Sequence, residues 1–170
     1  MEYTRLKVPR KVTVLSDKRE KTPLLFPESM LLHAETLFST TAKGTGARIG
    51  ITVKKVRLPL GDYTVEGYEK LVGVERKGSP RELFQNTLTR DRARAGAALA
   101  RFLTGVSHPI ILLDFPPTAL WWGASHIHSN GATSDHFRAV DRFLSTVALS
   151  KAAIVWGSRS SPNPTTRRRL

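Results

Sequence analysis

LGDYTVEGYEKLVGVERKGSPREL, residues 60–83, decides how the rest of the chain is understood. Within it, the run Leu71-Val72-Gly73-Val74-Glu75-Arg76-Lys77 has the β-branched, alternating character of a strand, and residues 63–65 form a shorter one. The two are predicted to pair across Glu66-Gly67-Tyr68-Glu69-Lys70, a hairpin loop containing glycine, which carries Asp62 towards Glu75. Side chains alternate along a strand, so Glu75 and Lys77 share one face while Val72, Val74 and Arg76 take the other. A carboxylate and an ammonium are thereby set side by side, with Asp62 as a second carboxylate. Phosphodiester cleavage needs such a set, carboxylates for a hard divalent cation and a positive group near the attacking water. Taken alone, Asp62 after Gly61 also reads as a turn residue, and Glu75 with Lys77 as a surface ion pair of little energetic weight. The site reading gains from Asp17 and Glu20, two further acids that follow another apolar run.

GDY followed by VERK, with Asp17-Lys18-Arg19-Glu20 upstream, resembles the signature of the XPF-type structure-specific DNA endonucleases, a branch of the restriction-endonuclease-like PD-(D/E)xK superfamily. The likeness extends over about residues 12–156, with its specific motifs confined to residues 17–20 and 61–83. It implies a three-layer α/β/α fold around a central mixed sheet, and a Mg²⁺-dependent endonuclease, with Mn²⁺ as a substitute, that cuts branched or flapped DNA during repair, recombination or replication. It implies catalytic roles for Asp62, Glu75, Lys77, Glu20 and Asp17, with Asp62, Glu75, Glu20 and the Arg76 carbonyl near the metal, and products bearing a 5′-phosphate and a 3′-hydroxyl. An Arg follows the family's motif helix at the spacing Arg92 has from Leu83. Arg92 is therefore the leading DNA contact, with Arg76, Arg90 and Arg94 beside it. One position departs from the pattern: the Asp expected three residues beyond the ERK triplet is Arg81, and the acid before Leu83 is Glu82, as after a one-residue insertion.

Composition agrees with a polyanion-binding protein. A chain of 170 residues suits one domain, here residues 1–156 followed by a basic tail over 157–170. The formal net charge of +13 favours nucleic acid, because basic surfaces release the counterions condensed on phosphates. An anionic membrane is the weaker alternative, since no basic amphipathic helix with an aromatic or leucine face accompanies the charge. Without cysteine there are no disulfides or thiolate zinc sites, and no apolar run is long enough to span a bilayer. With no signal-peptide pattern, the expected location is the cytoplasm or nucleoid, or the nucleus of a eukaryote.

Along the chain, residues 12–15 are predicted to form the first core strand, which delivers Asp17 and Glu20 at its carboxyl end. Pro27 and Glu28 open a helical pattern through Met30, Leu31, Ala34, Leu37 and Phe38. The glycine-rich stretch 43–50 lacks the spacing of a dinucleotide loop and reads as a flexible connection. Residues 51–58 alternate as a strand. Ser79-Pro80 marks a helix start, with a hydroxyl cap, a proline and Glu82 in the first turn; that helix runs to about Leu103 and packs Leu83, Phe84, Leu88, Ala95, Ala98, Leu99 and Phe102 inward. A buried parallel strand over 110–113, a helix capped by Ser134 and a last strand over 152–156 complete the α/β alternation. Trp121 and Trp122 read as core or contact residues before base-stacking ones, and His126 and His128 as surface loop before metal ligands. The catalytic reading competes with a catalytically inactive nuclease-fold DNA-binding or scaffold subunit, and with a basic RNA-binding protein. An inactive copy has no chemical reason to keep like-charged metal ligands together. Substrate choice is expected to rest on the basic surface, on self-association as a homodimer, or on an accessory protein.

Overall fold

The computed structural model describes residues 9–32, 47–83, 92–120 and 133–157. The chain divides into two compact units, Met1–Pro59 with Tyr63–Glu69, and Leu60–Asp62 with Lys70–Leu170. Both mix strand and connecting elements, and the described residues are α/β in class with parallel and antiparallel pairing.

In the first unit, β1 (Lys11–Asp17), β2 (Ser29–Leu32), β3 (Ala47–Val56) and β4 (Tyr63–Val65) lie in the order β2-β3-β1-β4. β1 pairs parallel with β3, Val14 beside Val53, and antiparallel with β4, Leu15 beside Thr64. Its Val, Thr and Leu side chains suit a pleated ribbon flanked on both edges, and its last three residues, Leu15, Ser16 and Asp17, are buried.

Two expectations are corrected here. Residues 29–32 are a strand antiparallel to β3 and not the opening of a helix, and Ala47–Gly50 belong to β3 and not to a glycine loop. Four residues are too few to separate a helical from an extended period. Backbone pairing with Ala47–Gly50 decides the outcome, and Met30 and Leu31 remain about half exposed on it. Ala34, Leu37 and Phe38 lie outside the described residues.

In the second unit, β5 (Val72–Lys77), β6 (His108–Leu113) and β7 (Ala153–Trp156) are all parallel, in that order. Parallel neighbours require crossovers, and α1 (Arg92–Gly105) and α2 (Thr133–Ala148) lie in them. The middle strand β6 buries Ile111 and Leu113 completely. Phe102 and Val106 from the α1 crossover, Val140, Phe143 and Val147 from α2, Leu83 and Phe115 close the core around it. Val140, Phe143 and Val147 recur at i, i+3 and i+7, the spacing of a buried helical stripe. Ala98 is exposed, not inward as its spacing suggested, and α2 begins one residue before Ser134. Phe84, Leu88, Trp121, Trp122, His126, His128 and the basic tail from residue 158 lie outside the described residues.

Candidate active site

The second unit builds its acidic cluster from a turn and a strand. Gly61 sits at φ 68°, a left-handed conformation that costs glycine little, and turns the chain so that the Asp62 N–H donates to the Val74 carbonyl at 2.8 Å. The Arg76 N–H donates in return to Asp62 Oδ2 at 2.8 Å. Asp62 is thus fixed against β5 by its backbone and its carboxylate. On the strand itself Glu75 and Lys77 share a face, as alternation requires, and Lys77 Nζ donates to Glu75 Oε1 at 2.8 Å. Lys77 Nζ also lies 3.9 Å from Glu82 Oε1.

Lys77 is the centre of this cluster. Its side chain is only 11% exposed. Burial alone would lower its pKa; the charge and hydrogen bond of Glu75, then the charges of Glu82 and Asp62, outweigh that and hold the pKa above the usual lysine value. The ammonium is accordingly a fixed cation at neutral pH, suited to offset negative charge and unsuited to accept a proton.

Arg76 faces the other way. Its Nε and NH2 donate to Asp114 Oδ2 at 3.1 and 2.7 Å, and both side chains are buried. The expected Arg76 contact with DNA therefore meets a guanidinium turned into the interior, where it orders β5 against the end of β6. Asp114 completes the link through its backbone, donating to the Lys77 carbonyl at 2.9 Å. Sequence reasoning gave Asp114 no role. The one available signal was an acid placed directly after a buried parallel strand, where α/β sheets collect functional groups.

Glu82, the acid at the departing position, has a local explanation. Its N–H donates to Ser79 Oγ at 3.2 Å while its Oε2 accepts from the Gly78 N–H at 2.9 Å, a reciprocal cap on the helical turn over 80–83. Arg92 and Arg94 are exposed on α1, and Arg90 lies outside the described residues.

Asp17 and Glu20 belong to the first unit. Asp17 Oδ1 accepts from Arg19 N and Nε at 2.7 and 2.9 Å, and Oδ2 from Arg19 NH2 and Leu58 N at 2.7 and 2.9 Å. The Arg19 side chain, opposed by burial and helped by the two backbone N–H groups, brings the Asp17 pKa down to about 2. So saturated a carboxylate braces the chain between β1 and Leu58. Asp17→Asn should cost about 2 kcal/mol near neutral pH, since each tenfold change in proton affinity between the folded and unfolded chain corresponds to roughly 1.4 kcal/mol of stability. The native pKa is depressed, so this stability is full above pH 3.8 and is lost as the pH falls towards about 2. Urea melts of wild type and variant at stepped pH should converge over that window. Glu20 Oε1 accepts from Thr22 N at 3.0 Å and Oγ1 at 3.4 Å.

Mg²⁺ characteristically takes only one or two protein carboxylates and keeps several waters. Asp62 and Glu75, both half-buried, with the Arg76 carbonyl between them and Lys77 in chain order, are suited to that demand. Glu75 Oε2 has no protein partner among the described residues. No group of three His, Asp or Glu side chains close enough to hold a metal occurs among the described residues.

No family model and no curated protein matches this chain. Among solved structures, the chain is similar to XPF from Aeropyrum pernix, with a TM-score of 0.47 and 16% identity over 86% of this chain and 53% of that one. It spans about half the length of that protein.

Proposed function

We propose that the chain is a metal-dependent endonuclease that hydrolyses phosphodiester bonds in DNA, with branched or flapped DNA as substrate, on a three-layer restriction-endonuclease-like fold. The observation that carries the reading is Lys77, a nearly buried cation paired with Glu75 and within the electrostatic reach of Glu82 and Asp62. With Glu82 accounted for as the cap of its own turn, Asp62 and Glu75 remain as two like charges near one nearly buried cation, and a cluster built only for stability gains little from that. Asp62 and Glu75 would hold Mg²⁺, with the Arg76 carbonyl beside them. Mg²⁺ when bound lowers the pKa of water and neutralises charge on the phosphate. Lys77 donates its N–H groups to the attacking water or to a phosphate oxygen and offsets the charge that develops on phosphorus. Asp62 is oriented for its task by the Arg76 N–H. Arg92 and Arg94 on α1 would contact the DNA backbone.

The test is cleavage of end-labelled duplex, fork, flap, junction and single-stranded DNA with and without Mg²⁺ or Mn²⁺. Purified protein should cut only with the cation, and Lys77→Ala should lose about 10²-fold or more in rate, as for removal of one group that stabilises developing charge. DNA affinity should change little in the same variant. Full activity in Lys77→Ala would overturn the assignment. DNA binding with no cleavage of any substrate would instead mark a non-catalytic binding subunit.

A further inference from the structure

The first unit carries a second surface suited to DNA, and it lies on the sheet itself. Four contacts fix which side chains share this face. Thr13 Oγ1 and Thr52 Oγ1 are 3.2 Å apart, Arg48 NH1 donates to Ser29 Oγ at 2.8 Å, and Lys54 Nζ meets Glu66 Oε1 at 3.3 Å. A Cβ on Gly50 would lie 3.9 Å from Lys11 Cγ, so the lysine stem runs across the space that glycine leaves. Arg48, Gly50, Thr52 and Lys54 therefore form one row along β3, with Lys11 and Thr13 beside them on β1. The opposite face buries Ile49 and Tyr63, only 4% and 3% exposed, and opens to solvent at Val53 and Lys55, while Leu15 and Asp17 close the far end of the first face.

On the outer face Lys11, Arg48, Thr52 and Lys54 are exposed. Arg48 and Lys54 are six residues apart, about 20 Å at the rise of a strand. Three cations and neutral hydroxyls are opposed by Glu66, the exposed acid among the described residues of the face, the other acid, Asp17, being buried and held by Arg19. Such a row matches a line of phosphates. No aromatic side chain projects from these positions, so the stacking that holds single strands is missing and the contacts available are to backbone.

We propose that this face of β1 and β3 binds the sugar-phosphate backbone of double-stranded DNA without regard to sequence, through Lys11, Arg48 and Lys54. The proposal rests on DNA as the partner and does not require the cleavage chemistry. Glu66 limits this binding by pairing with Lys54.

Binding of a fluorescent 20-bp duplex to the full chain carrying Glu75→Gln, without divalent cation, separates this from catalysis. Lys11→Gln/Arg48→Gln/Lys54→Gln should weaken binding about 30-fold and reduce the slope of log affinity against log salt by about 2.7, three phosphate contacts at about 0.9 each. Glu66→Gln should tighten binding about threefold, a gain that misfolding cannot mimic. Arg138→Gln/Arg142→Gln, on the exposed side of α2, serves as the control and should leave the slope unchanged. Unchanged affinity and slope in the triple variant would overturn the proposal, as would loss of binding to anionic phosphatidylserine vesicles with DNA binding intact. If the wild type never cuts DNA yet the triple variant shows the expected loss, the nuclease reading falls and this surface stands.

Discussion

Asp114→Ala is expected to lower folding stability by about 3–5 kcal/mol, the range for removing one member of a buried ion pair. The Arg76 side chain is 2% exposed and that of Asp114 9%, so bulk water does not readily replace the carboxylate at the guanidinium. Two guanidinium N–H groups converge on Asp114 Oδ2, and removing the carboxylate leaves them in a space closed on one side by Gly78, whose Cβ would lie 3.4 Å from Arg76 NH2. Urea unfolding followed by circular dichroism reads the effect as a shift in midpoint at unchanged slope. Replacing both partners, as Arg76→Met/Asp114→Leu, should recover most of the loss, since the penalty comes from a buried charge that has lost its opposite charge. A loss below about 1 kcal/mol in Asp114→Ala would mean that the pair is hydrated or dispensable.

Phe102→Ala should cost a similar amount, about 3–5 kcal/mol, as large-to-small substitutions in a packed core do. Phe102 is 1% exposed, and its ring lies in the room that two glycines leave. A Cβ on Gly61 would come within 2.9 Å of Phe102 Cε2, and one on Gly73 within 3.1 Å. Gly61 also holds the turn that presents Asp62. Loss of the ring should therefore speed hydrogen exchange at the Asp62 N–H, which is bonded to the Val74 carbonyl, beyond the change in global stability. Gly73→Ala should be damaging in the wild type and better tolerated in Phe102→Ala, and a double-mutant cycle measures that coupling. Additive effects would show that the ring and Gly73 do not share space.

The strands β4, β5, β6 and β7 were legible because short apolar runs bounded by Gly, Pro and Asp have few other readings. The facing of Glu75 with Lys77, and of Arg76 away from them, follows from alternation alone. The stretch 29–32 misled because Met30 and Leu31 fit both periods over so short a span, and its pairing with Ala47–Gly50 is set by residues 15 or more positions away. Asp114 was hidden for the same reason, standing 38 positions from Arg76. Glu82 shows the reverse case: sequence identified the unusual acid, but only its bond to the Gly78 N–H revealed it as the cap of its own turn. Asp17 was visible as an acid at a strand end, whereas its saturation by Arg19 and Leu58 required coordinates.

The inward guanidinium of Arg76 has a consequence for how the second unit finds its native alignment. If β5 slid by one position along β6, Arg76 would move to the opposite face, away from Asp114, and Glu75 and Lys77 would take its side of the strand. Apolar strands tolerate such slippage, because one valine replaces another. Here a single charged tooth fits a single notch, so misaligned intermediates are penalised during assembly and Glu75 and Lys77 are kept together on the face away from Asp114.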